Sequence, residues 1–308
     1  MENPPQSFEI SINGYYTVGN YMILRSEITC LAREQGVPPS TIDKDWVLGH
    51  IIAGIFRQKW ARETLLFKGG TCLKKCYIPG YRFSEDIDFT LLRDDFVLTY
   101  EKLEFIINEI VKTTGIRFAP FSIQPIHSRN RHFGFSTIVK FWGGDHRRDQ
   151  EPPMDFERWH SSVKIEMTWH EMICFPKEQR LIHHDYSDSQ QVSSTEVPCY
   201  RLFEIVAEKL RATIQRSYPA PRDYYDLWSL LKTIDQEYMP EIIDAFLKKA
   251  AYKNIPDVHF NDLFQPERLN RSAKAWDQSL GAHLPAGSLP SFSIVIEELK
   301  GIIKPYFK

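Results

Sequence analysis

The sequence lacks three features that mark large classes of protein. It has no apolar run near the ~18 residues that cross a bilayer, and its first ten residues (MENPPQSFEI) lack the basic-then-apolar pattern of a secretion signal. Its five cysteines are an odd number without regular spacing, which argues for a reducing compartment, and they include no CxxC pair, which makes a zinc site unexpected. We therefore expect a cytoplasmic protein that makes no membrane contact.

The chain also lacks a strong charge of either sign. Lys and Arg number 38 against 40 Asp and Glu, a formal net charge of −2. Dedicated nucleic-acid binders are usually strongly basic, so any such contact would have to be local. With 43% hydrophobic residues, the 308-residue chain has the composition of a globular protein and room for one large domain or two modest ones.

A glycine turn followed by two acids on a strand is the most informative feature present. Residues 68–71 read KGGT and residues 82–88 read RFSEDID. The glycines let a backbone approach phosphate groups, and N–H groups at the start of a following helix attract anions. On a strand, Asp86 and Asp88 project to the same side, with Ser84 beside them. Neighbouring carboxylates repel each other unless a cation lies between them, and Mg²⁺ prefers oxygen ligands.

A third carboxylate is predicted on a later strand. Residues 163–168 (VKIEMT) alternate apolar and polar side chains, which places Lys164, Glu166 and Thr168 on one face. We expect Glu166 to reach the same site from a neighbouring strand.

The remaining chain divides into a strand-rich and a helical part. Short strands are predicted at 65–67 and 84–92, helices at 21–34, 41–60, 71–77 and 94–113, and strands at 116–126, 133–142 and 163–168. From about residue 200 the pattern is helical, at 201–217, 222–234, 239–252, 257–270 and 291–303. A boundary near 195–200 gives two regions, 1–199 and 200–308.

The helical region carries a second set of polar residues. On the helix at 202–216, Lys209 lies at the edge of the apolar stripe, from where its ammonium group reaches a polar cleft. Residues 222–227 read RDYYDL, and helical spacing puts Asp223 and Asp226 on one face. A structural ion pair between Arg222 and Asp223 is the alternative interpretation of that motif.

Four motifs in this order, KGGTCL, RFSEDIDF, EKLRA and RDYYDL, resemble the AbiEii/AbiGii toxin family over about residues 40–235. These are bacterial nucleotidyltransferase-like toxins of toxin–antitoxin and abortive-infection systems. The resemblance implies an α+β fold: a polymerase-β-like nucleotidyltransferase core with a mixed sheet in 1–199, and a helical region in 200–308. Residues 219–221 (PAP), just before the last motif, depart from the family pattern.

The resemblance also implies roles for matching residues. Metal ligands would be Asp86 and Asp88, with Glu166 added from the strand argument above. Lys209 and either Asp223 or Asp226 would complete the site, and we assign Asp223 to the catalytic set. Gly69, Gly70 and Thr71 would line the nucleotide phosphates. From the motifs themselves we add further residues near the nucleotide: Lys68, Arg82, Ser84, Arg211, Arg222 and Asp226. Arg82 and Ser84 would position the turn, touch phosphate, or both.

The expected activity is transfer of a nucleoside monophosphate from an NTP to RNA, with Mg²⁺ or Mn²⁺ as cofactor. The resemblance favours the 3′ end of tRNA as acceptor, a block of translation as the result, and a cognate antitoxin as partner. Transfer to a protein or small molecule is the second hypothesis, and a catalytically idle binding protein is the third. The stretch 127–148, basic with interleaved aromatics, is either an RNA contact or a hairpin with charged loops.

Overall fold

The computed structural model describes residues 23–128, 131–147 and 149–307. The start of the helix predicted at 21–34, and the basic residues Arg129 and Arg148, lie outside the described residues.

A mixed sheet of eight strands forms the centre of the described chain. The strands are β1 (Leu65–Lys68), β2 (Asp86–Leu91), β3 (Arg117–Phe118), β4 (Ile123–Ser128), β5 (Arg131–Trp142), β6 (Ser162–Thr168), β7 (Glu178–Leu181) and β8 (Glu196–Cys199). Their order is β3-β5-β6-β2-β1-β8-β7, and β4 also pairs with β5. The β2–β6 and β1–β8 pairs are parallel and the others antiparallel.

Helices flank the sheet and fill the C-terminal region. They are α1 (Arg25–Gln35), α2 (Pro39–Phe56), α3 (Lys59–Thr64), α4 (Gly69–Cys72, continued by a π-helical turn over Leu73–Tyr77), α5 (Tyr100–Thr114), α6 (Leu202–Gln215), α7 (Pro221–Leu231), α8 (Met239–Tyr252), α9 (Phe260–Leu263), α10 (Pro266–Lys274), α11 (Trp276–Leu280) and α12 (Phe292–Ile303). None of the described helices combines the length and the apolar character needed to cross a membrane.

One face of the sheet is buried and the other carries the polar side chains. Phe67 on β1 and Phe89 on β2 pack against Phe56 of α2, with ring centroids 5.5–6.5 Å apart. Ile87 is buried on the same side. Because strand side chains alternate, Asp86 and Asp88 must point to the opposite face.

Proline and capping residues move several element boundaries from their predicted positions. The helix predicted at 94–113 begins at Tyr100, because the Thr99 hydroxyl caps it by accepting the Lys102 N–H. The helix predicted at 257–270 is split in two, and Pro266 starts the second part. The strand predicted at 116–126 is two short strands on either side of Pro120.

The described residues of the basic stretch 127–148 lie at the end of β4, along β5, which pairs with it, and in the segment that follows β5. Lys140 pairs with Glu157 at 2.8 Å, and Arg147 pairs with Asp149 at 2.8 Å. These described cations are already neutralised by neighbouring acids, as in a hairpin with charged loops.

Three buried thiols meet although the sequence contains no CxxC pair. Cys72 and Cys76 lie one helical turn apart, and Cys199 faces them from β8, with all three sulfur atoms within 4.8 Å of one another. Three ligands are one fewer than a tetrahedral structural zinc site uses.

Candidate active site

A row of charged side chains crosses the open face of the sheet. Lys68 on β1 is in register with Asp88 on β2, and Asp88 with Glu166 on β6. Asp86 is in register with Lys164 of β6. The parallel β2–β6 pairing therefore brings the three predicted metal ligands to one face, as the alternation of residues 163–168 indicated.

The two glycines of the turn make room for the residues around this row. Gly69 has φ +83°, and a Cβ added there would lie 2.6 Å from Asp88 Oδ2. A Cβ on Gly70 would lie 2.8 Å from Arg82 Nη2 and 3.1 Å from Ser84 Oγ. The turn thus packs directly against the segment that carries the two aspartates, and this close approach requires glycine at both positions.

Gly69→Ala is expected to lower stability and to impair activity. The left-handed backbone conformation costs about 1–2 kcal/mol for a residue with a Cβ, and the added methyl group would also displace the Asp88 carboxylate. Urea unfolding measures the first effect. Gly80→Ala is the matched control, because Gly80 has φ +72° and open space around it. If both variants lose equal stability and equal activity, the contact between Gly69 and Asp88 has no special role.

The two aspartates on β2 are the acids of this face that remain without a direct partner. Asp86 is exposed and Asp88 half-buried, and within the described residues neither side chain makes a hydrogen bond or an ion pair. Burial raises the pKa of Asp88 to about 6, with Glu166 and Asp86 adding to the rise and Lys68 opposing it. Burial, followed by Glu85, raises the pKa of Asp86.

These residues fit a hard divalent cation. Mutual repulsion of the carboxylates would be relieved by a cation between them, and oxygen ligands suit Mg²⁺ or Mn²⁺. In the described chain the oxygens of Asp86, Asp88 and Glu166 do not all lie within 4.8 Å of one another. Glu166 is paired with Lys164 at 3.0 Å. Asp86 and Asp88 are therefore the immediate ligand pair, and Glu166 would have to exchange its lysine for the metal.

Lys68 is held by an acid that the sequence analysis passed over. Its Nζ donates to Glu208 of α6 at 3.1 Å and lies 3.9 Å from Glu171. Burial alone would raise the pKa of Glu208, but Lys68, Lys249 and Arg211 lower it to about 2. Glu208 is the first residue of the EKLRA motif, from which the sequence analysis took Lys209 and Arg211 alone.

A buried ionic cluster lies behind the cleft and is centred on Asp226. This carboxylate accepts two hydrogen bonds from Arg82, at 2.5 and 2.6 Å, and one from the Tyr81 hydroxyl at 3.0 Å. The Lys209 ammonium lies 2.5 Å from it. Burial opposes ionisation, but Arg82 and Lys209 lower the pKa of Asp226 to about 2. Fully buried, Asp226 positions two cations of the predicted site.

The Arg222–Asp223 motif is divided between two sets of contacts. Asp223 accepts from Lys209 at 3.1 Å and from Arg216. Arg222 contacts Glu85 at 2.7 Å, together with the carbonyl of Ser279 and the ring of His283. The structural ion pair considered between Arg222 and Asp223 is therefore replaced by separate partners for each residue.

Arg211, Thr71 and Asp226 are the predicted residues that lie outside the walls of the cleft. Arg211 contacts Glu171 and Glu208 at 3.7–3.8 Å. Residues two apart on a helix do not share a face, so Arg211 points away from the side that Lys209 occupies. The Thr71 hydroxyl donates to the Asp86 carbonyl and so ties the turn to β2.

The cleft has a volume of about 570 Å³ and lies between the sheet, α6 and the segment 216–221, a size typical of small-molecule sites.

Two cations on the walls of the cleft were not predicted, Lys164 and Arg216, and their side chains are 42% and 38% exposed. The alternation that singled out Glu166 also placed Lys164 on that face. Arg216 follows the last turn of α6, where periodicity gives no signal. The sheet forms the floor of the cleft and carries the acids Asp86 and Asp88, and the walls carry cations. This arrangement suits a polyphosphate bound with a metal ion.

Known proteins resemble this chain in sequence pattern and in fold. Residues 51–298 match the family described as nucleotidyl transferase AbiEii toxin, type IV toxin–antitoxin system. The fold is similar to that of MenT4, a nucleotidyltransferase toxin from Mycobacterium tuberculosis H37Rv, with a TM-score of 0.60 and 17% identity over 92% of this chain and 90% of MenT4. This confirms the predicted fold. No curated protein matches the chain in sequence. The chain belongs to the AbiEii family of nucleotidyltransferase toxins.

Proposed function

We propose that this toxin transfers a nucleoside monophosphate from an NTP to the 3′ end of tRNA and so blocks translation. The observation that carries the proposal is the pair Asp86 and Asp88, side by side at the cleft and without direct partners in the described chain. An idle binding protein has no need to keep two repelling carboxylates together. The RNA acceptor and the cognate antitoxin are inferred from the family.

In the proposed reaction a hydroxyl oxygen of the acceptor forms a bond to the α-phosphorus. The bond from that phosphorus to the oxygen bridging to the β-phosphate breaks, pyrophosphate leaves, and the hydroxyl proton passes to solvent. Positioning and charge neutralisation, rather than covalent chemistry, are what such a transfer requires. A Mg²⁺ or Mn²⁺ ion bound by Asp86, Asp88 and Glu166 would supply charge neutralisation at the phosphates.

The cationic side chains of the cleft have different roles in the proposed reaction. Arg216 and Lys164 are the more exposed cations on the walls, and both would meet phosphate oxygens. Arg216 would do so while it stays paired with Asp223, and Lys164 once Glu166 turns to the metal. Lys209 is held at the wall by its two aspartates, which fix its ammonium for the leaving pyrophosphate. Arg82, fixed by Asp226, lies against Gly70 and so orients the turn.

The test is transfer of label to RNA. Each of the four NTPs, labelled at the α-phosphate with ³²P, is incubated with the protein, Mg²⁺ and total bacterial RNA, and the same NTPs labelled at the γ-phosphate form the control. We expect a tRNA-sized band from an α-labelled donor and none from its γ-labelled form, because pyrophosphate is released. Asp86→Ala is expected to lose the band.

Other outcomes would overturn parts of the proposal. Label from the γ-phosphate would show phosphorylation instead of nucleotidyl transfer. Label in protein or small molecules, with none in RNA, would move the acceptor to the second hypothesis. No label in any fraction would favour an idle binding protein.

A further inference from the structure

The segment that joins α6 to α7 forms one wall of the cleft. It reads RSYPAP over residues 216–221 and includes the two prolines that depart from the family pattern. Every residue of it except Ser217 lines the cleft. Proline fixes its own φ angle and restricts the residue before it, so this wall has little backbone freedom.

Tyr218 lies on this wall and is largely exposed to solvent. The side chain is 60% exposed although it lines the cleft. The Arg216 guanidinium carbon lies over the ring, 5.3 Å from its centroid. Arg216 is itself anchored to Asp223 of α7. One face of the ring is therefore supported by a fixed guanidinium group, and the rest remains open to a ligand.

Arg216 lies near both the Tyr218 ring and the carboxylate of Asp88. Its guanidinium group is close enough to Asp88 to interact with it electrostatically. A nucleotide whose phosphates lay between Arg216 and the aspartates would have its base in the same cleft as the Tyr218 ring. Ile126 of β4 lines the same cleft and adds apolar surface.

We propose that Tyr218 is a stacking platform for a nucleobase, which belongs either to the donor NTP or to the terminal nucleotide of the acceptor. Aromatic stacking tolerates any base, since every base has a π-face. Arg216 would serve both ends of the ligand by supporting the ring and meeting phosphate. This inference rests on the proposed function and names the group that fixes the base.

Equilibrium binding tests the platform without any need for turnover. The probes are labelled NTP and inorganic tripolyphosphate, which has the phosphates but no base, each with wild type, Tyr218→Ala and Tyr218→Phe. Loss of one stacked base should weaken NTP binding by between about 5-fold and about 100-fold. Tripolyphosphate should bind wild type and Tyr218→Ala equally, and Tyr218→Phe should bind NTP nearly as wild type does.

A second measurement, the KM for tRNA, distinguishes a base of the donor NTP from a base of the acceptor. If Tyr218 stacks the acceptor, NTP affinity in Tyr218→Ala stays unchanged while the KM for tRNA rises by a similar factor at saturating NTP. Phe105→Ala is the control, because Phe105 is 55% exposed on α5 and lies outside the cleft. It should change neither quantity.

Two results would overturn the inference. Unchanged NTP affinity together with an unchanged KM for tRNA in Tyr218→Ala would exclude stacking and leave the proposed function standing. Equal weakening of tripolyphosphate and NTP would show that the tyrosine merely holds Arg216 in place. A wild-type protein that binds neither probe would contradict the proposed function itself.

Discussion

Asp88→Asn is expected to reduce nucleotidyl transfer by at least about 100-fold, the typical effect of losing one preorganised charged group. The amide keeps the size of the carboxylate, so the packing against Gly69 is retained. What is lost is the negative charge that would hold a divalent cation together with Asp86. Single-turnover transfer from α-labelled NTP, compared at equal protein concentration, measures the effect.

Stability provides the control for this variant. Burial and three nearby acids raise the pKa of Asp88 to about 6, so ionised Asp88 destabilises the fold near neutral pH. This cost is absent below the ordinary aspartate pKa and develops as pH rises through about 6. Asp88→Asn should therefore unfold at an equal or higher urea concentration than wild type at pH 7. Activity near that of wild type would contradict its place in the site.

Asp226→Asn is expected to cost about 3–5 kcal/mol of folding free energy, as breaking a buried charge cluster does. Arg82 and Lys209 would remain buried beside a neutral amide that cannot balance their charge. Chemical unfolding followed by circular dichroism measures the loss. Asp95→Asn is the matched control, because Asp95 forms an exposed pair with Arg93 and its removal should change stability little.

The pH dependence of this difference checks its cause. The pKa of Asp226 is lowered from its ordinary value of 3.8 to about 2 in the folded protein. Its stabilising contribution is therefore complete above about pH 4 and is lost as pH falls through about 2. The gap between wild type and Asp226→Asn should be constant from pH 5 to 7 and should narrow below pH 4. A gap that does not change with pH would indicate lost packing instead of lost charge.

The floor of the site could be predicted from sequence because it follows a local rule. Side chains two apart on a strand share a face. This rule alone grouped Asp86 with Asp88, and it identified Glu166 as a candidate third carboxylate. Which strands become neighbours is not local. The β2–β6 register that sets Asp88 beside Glu166 joins segments about 80 residues apart.

The partners of the cations were beyond the reach of sequence patterns. Arg82 and Asp226 lie 144 residues apart in sequence, and no periodicity connects them. Lys209 was predicted at a cleft, which the structure shows, but its two aspartate partners depend on the packing of α6 against α7. The four-residue strands β7 and β8 are too short to give a recognisable alternation.

The distance along the chain between Arg82 and Asp226 has a consequence for synthesis of the toxin. A ribosome makes the sheet carboxylates early, but the counter-ion that fixes Arg82 against the glycine turn arrives 144 residues later. A nascent chain that stops before α7 would contain the two aspartates but not the carboxylate that holds Arg82. The ionic network that holds Arg82 against the glycine turn can therefore form only in chains that extend past Asp226 of α7.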